Sequence, residues 1–111
     1  MGDILTAECN HVRITYIKAK AEFKKKDDGY YHGFIERTND DSGLTRIEGQ
    51  ASLVHRGLVN SYYSWSLHIP GDQIGEREFQ IFEDKKNGNT KVVLWAGGLA
   101  FEDCKWTGVN I

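Results

Sequence analysis

The chain has 111 residues, of which 40% are hydrophobic and 27% are charged, and its formal net charge is −2 at pH 7. This composition is that of a folded globular protein rather than a disordered chain, and the length suits one domain spanning residues 1–111. The weak negative charge gives no general attraction to nucleic acid, and no stretch has the apolar length of a transmembrane helix. We therefore expect a soluble protein, either a secreted mature chain or a cytoplasmic one, with no nucleic-acid partner.

β-strands joined by tight turns are the expected secondary structure. No segment carries apolar residues at helical spacing over three turns, whereas turn residues recur at 27–29, 39–43, 71–72, 87–88 and 97–98. A first strand is predicted over residues 12–23, with a β-bulge near Tyr16, because the apolar alternation changes phase there. The next two strands are predicted over residues 29–37 and 44–55.

The second half of the chain carries clearer patterns. Strands are predicted over residues 60–69, 78–83, 91–96 and 103–111, and Asn87-Gly88 predicts a hairpin turn between the second and third of these. The total is about seven strands, which predicts an all-β fold, either a Greek-key β-sandwich or a flattened barrel. The strand over residues 60–69 alternates most regularly, with Tyr63, Trp65, Leu67 and Ile69 pointing inward and Tyr62, Ser64, Ser66 and His68 pointing outward.

Two cysteines, Cys9 and Cys104, lie near opposite ends of the chain. Since the first and last strands of a barrel or sandwich are often neighbours, a disulfide between them is one hypothesis. Two buried, reduced cysteines that act as small apolar side chains are the other. Both stay open at this point, and so does the cellular compartment. The start Met1-Gly2 fits a myristoylation pattern that is short enough to occur by chance.

Catalytic and metal-binding motifs are not evident. The histidines at 11, 32, 55 and 68 have none of the short spacings typical of zinc or copper ligands, and no C-x-x-C occurs. No G-x-S-x-G nucleophile motif is present either. We expect no cofactor, with copper or zinc bound through His68 and histidines of other strands as the alternative. The sequence favours a protein without catalytic activity.

Aromatic residues on both faces of two strands indicate a binding surface. Tyr30-Tyr31 and Tyr62-Tyr63 place rings on opposite sides of their strands, and only one side can pack into the core. Exposed rings flanked by polar groups suit contacts with a carbohydrate or a protein, unless another segment covers them. A second copy of the chain is a further expected partner. The candidate binding residues are Tyr30, Tyr62, Ser64, Ser66 and His68.

The segment Gly57–Asp72 resembles the signature of the copper/zinc superoxide dismutases, which reads approximately G-L-x-P-G-x-H-G-F-H-V-H-x-x-G-D. Five positions coincide without a gap, and Trp65 takes the position of the phenylalanine in the signature. The coincident residues are Gly57, Leu58, His68, Gly71 and Asp72.

This resemblance implies a Greek-key fold and places the two copper histidines of the family at Ser66 and His68, so one ligand is replaced. After Asp72 there is no room for the long loop that carries the zinc ligands of the family. The resemblance therefore implies a superoxide-dismutase-like domain that has lost catalysis and acts as a binding or structural module. The alternatives are a lectin-like carbohydrate- or protein-binding β-sandwich unrelated to dismutases, and a small copper or zinc protein that uses His68.

Overall fold

The structure, a computed structural model, describes residues 2–39, 43–59, 62–69 and 77–109. Nine β-strands and no helix lie within these ranges, so no described segment is a helix that could cross a membrane. The turns predicted at residues 39–43 and 71–72 lie partly or wholly outside them. The strands are β1 (Ile4–Asn10), β2 (Lys18–Lys25), β3 (Tyr31–Asn39), β4 (Gly43–Val59), β5 (Tyr62–His68), β6 (Arg77–Asp84), β7 (Thr90–Ala96), β8 (Leu99–Phe101) and β9 (Asp103–Thr107).

The nine strands form one antiparallel sheet in the order β8-β7-β6-β5-β4-β3-β2-β1-β9. Strands that are consecutive in sequence pair from β1 to β8, and β9 pairs with β1, so the sheet is nearly closed into a barrel. The prediction of an all-β fold is confirmed. The predictions of about seven strands and of a Greek key are wrong, because a Greek key needs a long connection that returns a strand beside an earlier one. Here the described strands run up and down in sequence order.

The strand predicted over residues 12–23 corresponds to the connection after β1 and to most of β2, and β1 itself lies before the predicted range. β1 and β2 are antiparallel neighbours, and residues 11–17 connect them. His11 organises this connection, because its Nδ1 accepts hydrogen bonds from the backbone N–H groups of Arg13 (3.1 Å) and Ile14 (3.0 Å). The change of phase near Tyr16 is therefore a loop between strands and not a β-bulge.

The inner face of the sheet forms the hydrophobic core. On β2, for example, Ala19, Ala21 and Phe23 are buried while the residues between them are exposed. Phe23 meets Phe79 of β6 edge to face, with ring centroids 6.2 Å apart. Since β2 and β6 belong to opposite halves of the sheet, the two halves pack directly against each other, and side chains fill the barrel at this level.

Two arginines point toward the interior at one end of the barrel. Arg77, the first residue of β6, is 1% exposed, and Arg37 of β3 donates from Nη1 to the carbonyl oxygen of Gly97 at 3.3 Å. A Cβ atom at Gly97 would lie 2.5 Å from that same Nη1, so the contact depends on the glycine. The sequence patterns did not predict either arginine inside the barrel.

β4 is the longest strand, with 17 residues, and it belongs to both halves of the sheet. Its first part pairs with β3 and its second part with β5. The register with β5 shifts between His55 and Gly57, so Arg56 is the extra residue of a β-bulge. Gly57 has φ of +84°, a left-handed conformation that favours glycine.

A disulfide joins Cys9 of β1 to Cys104 of β9 at directly opposed positions of the ladder that closes the barrel. Cys9 lies in the core with 2% exposure, and Cys104 is partly buried against it. Of the two hypotheses for these cysteines, the structure therefore contains the disulfide. The bond links residues that are 95 positions apart in the chain.

Candidate binding surface on the outer face of strands β4 to β7

The alternation of β5 divides its side chains between the core and the outer face. Leu67 is fully buried in the core, as predicted, while Tyr62, Ser64, Ser66 and His68 lie on the outer face. An outer face is normally exposed, yet Ser64 and Ser66 are only 5% and 2% exposed. Side chains from the neighbouring strands therefore cover the middle of this face.

Arg56 is one of the covering side chains. Its Nε donates a hydrogen bond to Ser66 Oγ at 3.0 Å, and its Nη2 lies 3.4 Å from Glu78 Oε1. The β-bulge explains this position, since it adds a residue to β4 opposite the outer side of β5. The Arg56 side chain is about half exposed, so it is held by the protein and is also accessible to solvent.

A chain of hydrogen bonds continues from Glu78 across β6 to β7. Gln80 donates from Nε2 to Glu78 Oε2 at 3.2 Å, and Trp95 donates from Nε1 to Gln80 Oε1 at 2.7 Å. The Glu78 side chain is only 15% exposed, and it faces Arg56 on one side and Gln80 on the other. These contacts link Ser66, Arg56, Glu78, Gln80 and Trp95 into one polar network, which fixes the side-chain positions.

Aromatic and aliphatic groups border the polar network. Tyr62 is 37% exposed and packs edge to face on Phe82, with ring centroids 6.2 Å apart. Val54, opposite Ser66 in the ladder, is 45% exposed. We call the whole set the β4–β7 outer surface; it consists of Val54, Arg56, Tyr62, Ser64, Ser66, Glu78, Gln80, Phe82 and Trp95.

No protein-family model, curated protein or solved structure matches this chain. The function of the β4–β7 outer surface is therefore inferred from its own geometry.

The structure brings together three of the five predicted binding residues. Tyr62, Ser64 and Ser66 belong to the β4–β7 outer surface, and His68 lies at its margin, exposed and directly opposite Glu78. Tyr30 lies elsewhere, just before β3, where it borders a shallow depression lined by Glu48, Gln50 and Ser52 among others. The surface therefore centres on β5 and does not include Tyr30.

Metal binding through His68 was the alternative use of this region. Within the described ranges, no group of three or more His, Cys, Asp and Glu side chains is placed to hold a metal ion. In the segment that resembles the dismutase signature, residues 60–61 and 70–72 lie outside the described part of the chain. A copper or zinc site at His68 stays a prediction.

Sequence reasoning missed Arg56, Glu78, Gln80 and Trp95. A signal for two of them was present, since the inward assignment of Phe79 and Ile81 leaves residues 78 and 80 pointing outward beside Ser66. Arg56 reaches the surface through the β-bulge, and the glycine that follows it is the only local sign of that bulge.

Proposed function

We propose that this protein is a non-catalytic binding module and that the β4–β7 outer surface binds a protein ligand. The observation that carries the proposal is that two exposed side chains are each held by a neighbour. The half-exposed Arg56 donates a hydrogen bond to the buried hydroxyl of Ser66, and the exposed Tyr62 packs on the ring of Phe82. Tyrosine, arginine and tryptophan are the side chains that dominate binding energy at protein interfaces. Trp95 supplies the third of these residue types at the same surface.

Pre-organisation of these side chains supports binding. An arginine loses considerable rotamer freedom when a ligand immobilises it, which weakens association. Arg56 has already lost part of that freedom through its contacts with Ser66 and Glu78. The Tyr62 ring is likewise oriented by Phe82. A ligand would therefore meet a surface that needs little further ordering.

The surroundings of Ser66 support a role without catalysis. A nucleophilic serine needs a neighbouring base that accepts its proton. Within the described part of the chain, the side chain that hydrogen-bonds to Ser66 Oγ is Arg56, whose guanidinium donates hydrogen bonds and cannot accept a proton. Ser66 therefore supports the position of Arg56, and no reaction step is assigned to it.

The proposal includes a distant relation to the copper/zinc superoxide dismutases. This relation agrees with the placement of Ser66 and His68 on the outer face, although the Greek key that it implies is absent from the described strands. Copper and zinc content of the purified protein, measured by plasma mass spectrometry, tests the metal alternative directly. Stoichiometric metal that disappears in His68→Ala would replace the present proposal with a metal-binding one.

Site-specific photo-crosslinking tests the binding surface while the ligand is still unidentified. Replacing Tyr62 with p-benzoylphenylalanine and irradiating cells of the source organism should yield one discrete adduct that protease treatment removes. The matched control carries the same residue at Tyr16, which is 61% exposed but lies in the connection between β1 and β2. We expect no adduct from position 16.

The partner identified in this way then permits a quantitative test. Tyr62→Ala and Arg56→Ala should each weaken its binding by at least roughly 30-fold, as hot-spot truncations do, whereas Tyr16→Ala should leave the Kd unchanged. Adducts of equal intensity at both positions, or none at position 62, would contradict the proposal. An adduct that resists protease but yields to glycosidases would assign a carbohydrate ligand instead.

A further inference from the structure

The strand β9 is attached to the barrel along one edge. In the described sheet it pairs only with β1, through Asp103–Thr107 opposite Thr6–Asn10. The strand β8 that precedes it pairs with β7 instead, so the chain changes partner at Glu102. β9 is therefore the strand that closes the barrel; it lies near β7, but the described sheet contains no ladder between these two strands.

The side chains of β9 contribute none of the fully buried core residues. Four of its five residues are exposed, and Trp106 keeps 36% of its surface accessible. Two side-chain hydrogen bonds also cross from β9 to β1, between Thr107 and Thr6 (2.6 Å) and between Asp103 and Asn10 (3.4 Å), but both are exposed. Exposed hydrogen bonds contribute little net stability, because water replaces them readily.

The disulfide differs from these contacts because it anchors β9 in the core. Cys9 is 2% exposed and Cys104 packs beside it, so the bond ties the middle of β9 to the interior. Without it, β9 would have to stay ordered through its ladder with β1, the partly buried Trp106, the backbone hydrogen bond from Gly2 to Gly108 and exposed side-chain contacts. The entropy gained by a released five-residue strand opposes those contacts.

We propose that the Cys9–Cys104 disulfide is a redox switch that controls whether β9 closes the barrel. A dithiol reductant attacks Sγ of Cys104, the less buried of the two cysteines, and Cys9 leaves as a thiolate that takes a proton from water. The second thiol of the reductant then forms its cyclic disulfide and releases Cys104. Two electrons pass from the dithiol to the protein, which gains two thiols.

The rest of the barrel keeps its packing when β9 leaves. The fully buried side chains come from β1 to β8 and from residues that adjoin these strands, and β9 contributes none of them. Phe23 and Phe79 still join the two halves of the sheet. Release of β9 exposes the outer edge of β1 and uncovers Ala7, which lies opposite Trp106 in the closing ladder.

Hydrogen–deuterium exchange of the whole chain with and without dithiothreitol tests the switch. We expect backbone amides of residues 103–107 to exchange at least roughly tenfold faster after reduction, because local opening then needs only the loss of one ladder. Amides of β6, which is paired on both sides with β5 and β7, should change by less than about twofold. Trypsin should cut after Lys105 in the reduced protein only, and reoxidation with oxidised glutathione should restore protection.

Two variants separate the disulfide from the other contacts of β9. Cys104→Ser should show the fast exchange of residues 103–107 without any reductant. Thr107→Val is the matched control, because it removes the contact with Thr6 and keeps the disulfide, and it should stay protected until it is reduced. Reduction that accelerates exchange equally in β6 and β9 would overturn the proposal in favour of global unfolding. Unchanged exchange in β9 after complete reduction would overturn it as well.

Discussion

The contact between Phe23 and Phe79 permits a direct test of whether the protein itself fills the interior of the barrel. Both side chains are fully buried, and their rings meet edge to face at 6.2 Å. Changing either residue to leucine removes part of a ring and leaves a small void. We expect each single change to lower the free energy of unfolding by about 1–2 kcal/mol. An edge-to-face pair adds about 0.5–1.5 kcal/mol beyond burial, which should appear as the coupling energy of the double variant.

Leucine is the appropriate substitution because a change to alanine would lower the free energy of unfolding by about 3–5 kcal/mol. A typical protein has a total stability of about 5–15 kcal/mol, so the double alanine variant could unfold completely. Urea unfolding followed by far-ultraviolet circular dichroism gives the four free energies of the double-mutant cycle. A second cycle that combines Phe23→Leu with Phe82→Leu is the control, since the Phe82 ring packs against Tyr62 on the outer face of the sheet. These two changes should be additive to within about 0.5 kcal/mol.

A coupling energy of zero between Phe23 and Phe79, measured in variants that still unfold cooperatively, would refute the direct packing of the two halves. The same result would make a ligand site on the outer face less favoured, because an interior that is not filled can hold a ligand.

Three further changes test local features. Gly33→Ala should lower the free energy of unfolding in urea by at least about 2 kcal/mol, because the added Cβ would overlap the Glu22 carbonyl oxygen. Gly29→Ala is the control: Gly29 has φ of +84° and open space around it, so the loss should be only about 1–2 kcal/mol. Equal losses would contradict the close approach of β2 and β3. The backbone N–H of Tyr30 and the ring of His32 lower the pKa of Asp28 below 3.8. The contribution of the Asp28 carboxylate to the stability of the fold is therefore complete above pH 3.8 and is lost as the pH falls through the lowered pKa. A carboxyl-carbon NMR titration should show a midpoint below 3.8 that rises in His32→Ala. Burial and the charge of Asp3 raise the pKa of Tyr31 above 10.0. The contribution of the neutral Tyr31 side chain to the stability of the fold is therefore present below pH 10 and is lost as the pH rises through the raised pKa. An ultraviolet titration should show one tyrosine that ionises at higher pH than the others and is missing in Tyr31→Phe, and a titration unchanged by that substitution would be contrary evidence.

Strands with a regular pattern were predictable from the sequence. In β6 and β5, for example, Phe79, Ile81 and Leu67 lie in the core as their alternation indicated. The prediction that residues 91–96 form a central strand is also supported, since Val92 and Val93 are both buried although they point to opposite faces. Period-two alternation reports the difference between core and solvent, and that difference is large along these strands.

The missed elements have physical reasons. β1 does alternate, through Leu5, Ala7 and Cys9, but two of these side chains are small and add little to a hydrophobic pattern. β8 has three residues, which is too short for any period to show. The predicted hairpin around residues 87–88 is present between β6 and β7. Its loop spans residues 85–89, and Gly88 has φ of +71° there.

The candidate site was predictable in position but not in detail. The outward orientation of Ser64 and Ser66 followed from alternation, whereas their burial did not. That burial depends on neighbours from strands whose register the sequence does not reveal. Arg56 shows the limit most clearly, because a one-residue slip in β4 decides which side chain faces Ser66.

The pairing of β1 with β9 also bears on the order in which the sheet folds. Each other ladder joins strands that follow one another in the chain, so it can form as a local hairpin with a small loss of chain entropy. The closing ladder brings together cysteines that are 95 residues apart, and the chain entropy lost in that step is larger. We therefore expect β1 and β9 to pair last, as pulse-labelled exchange during refolding would detect. Oxidation before that step would find Cys9 and Cys104 apart and each available to a different chain.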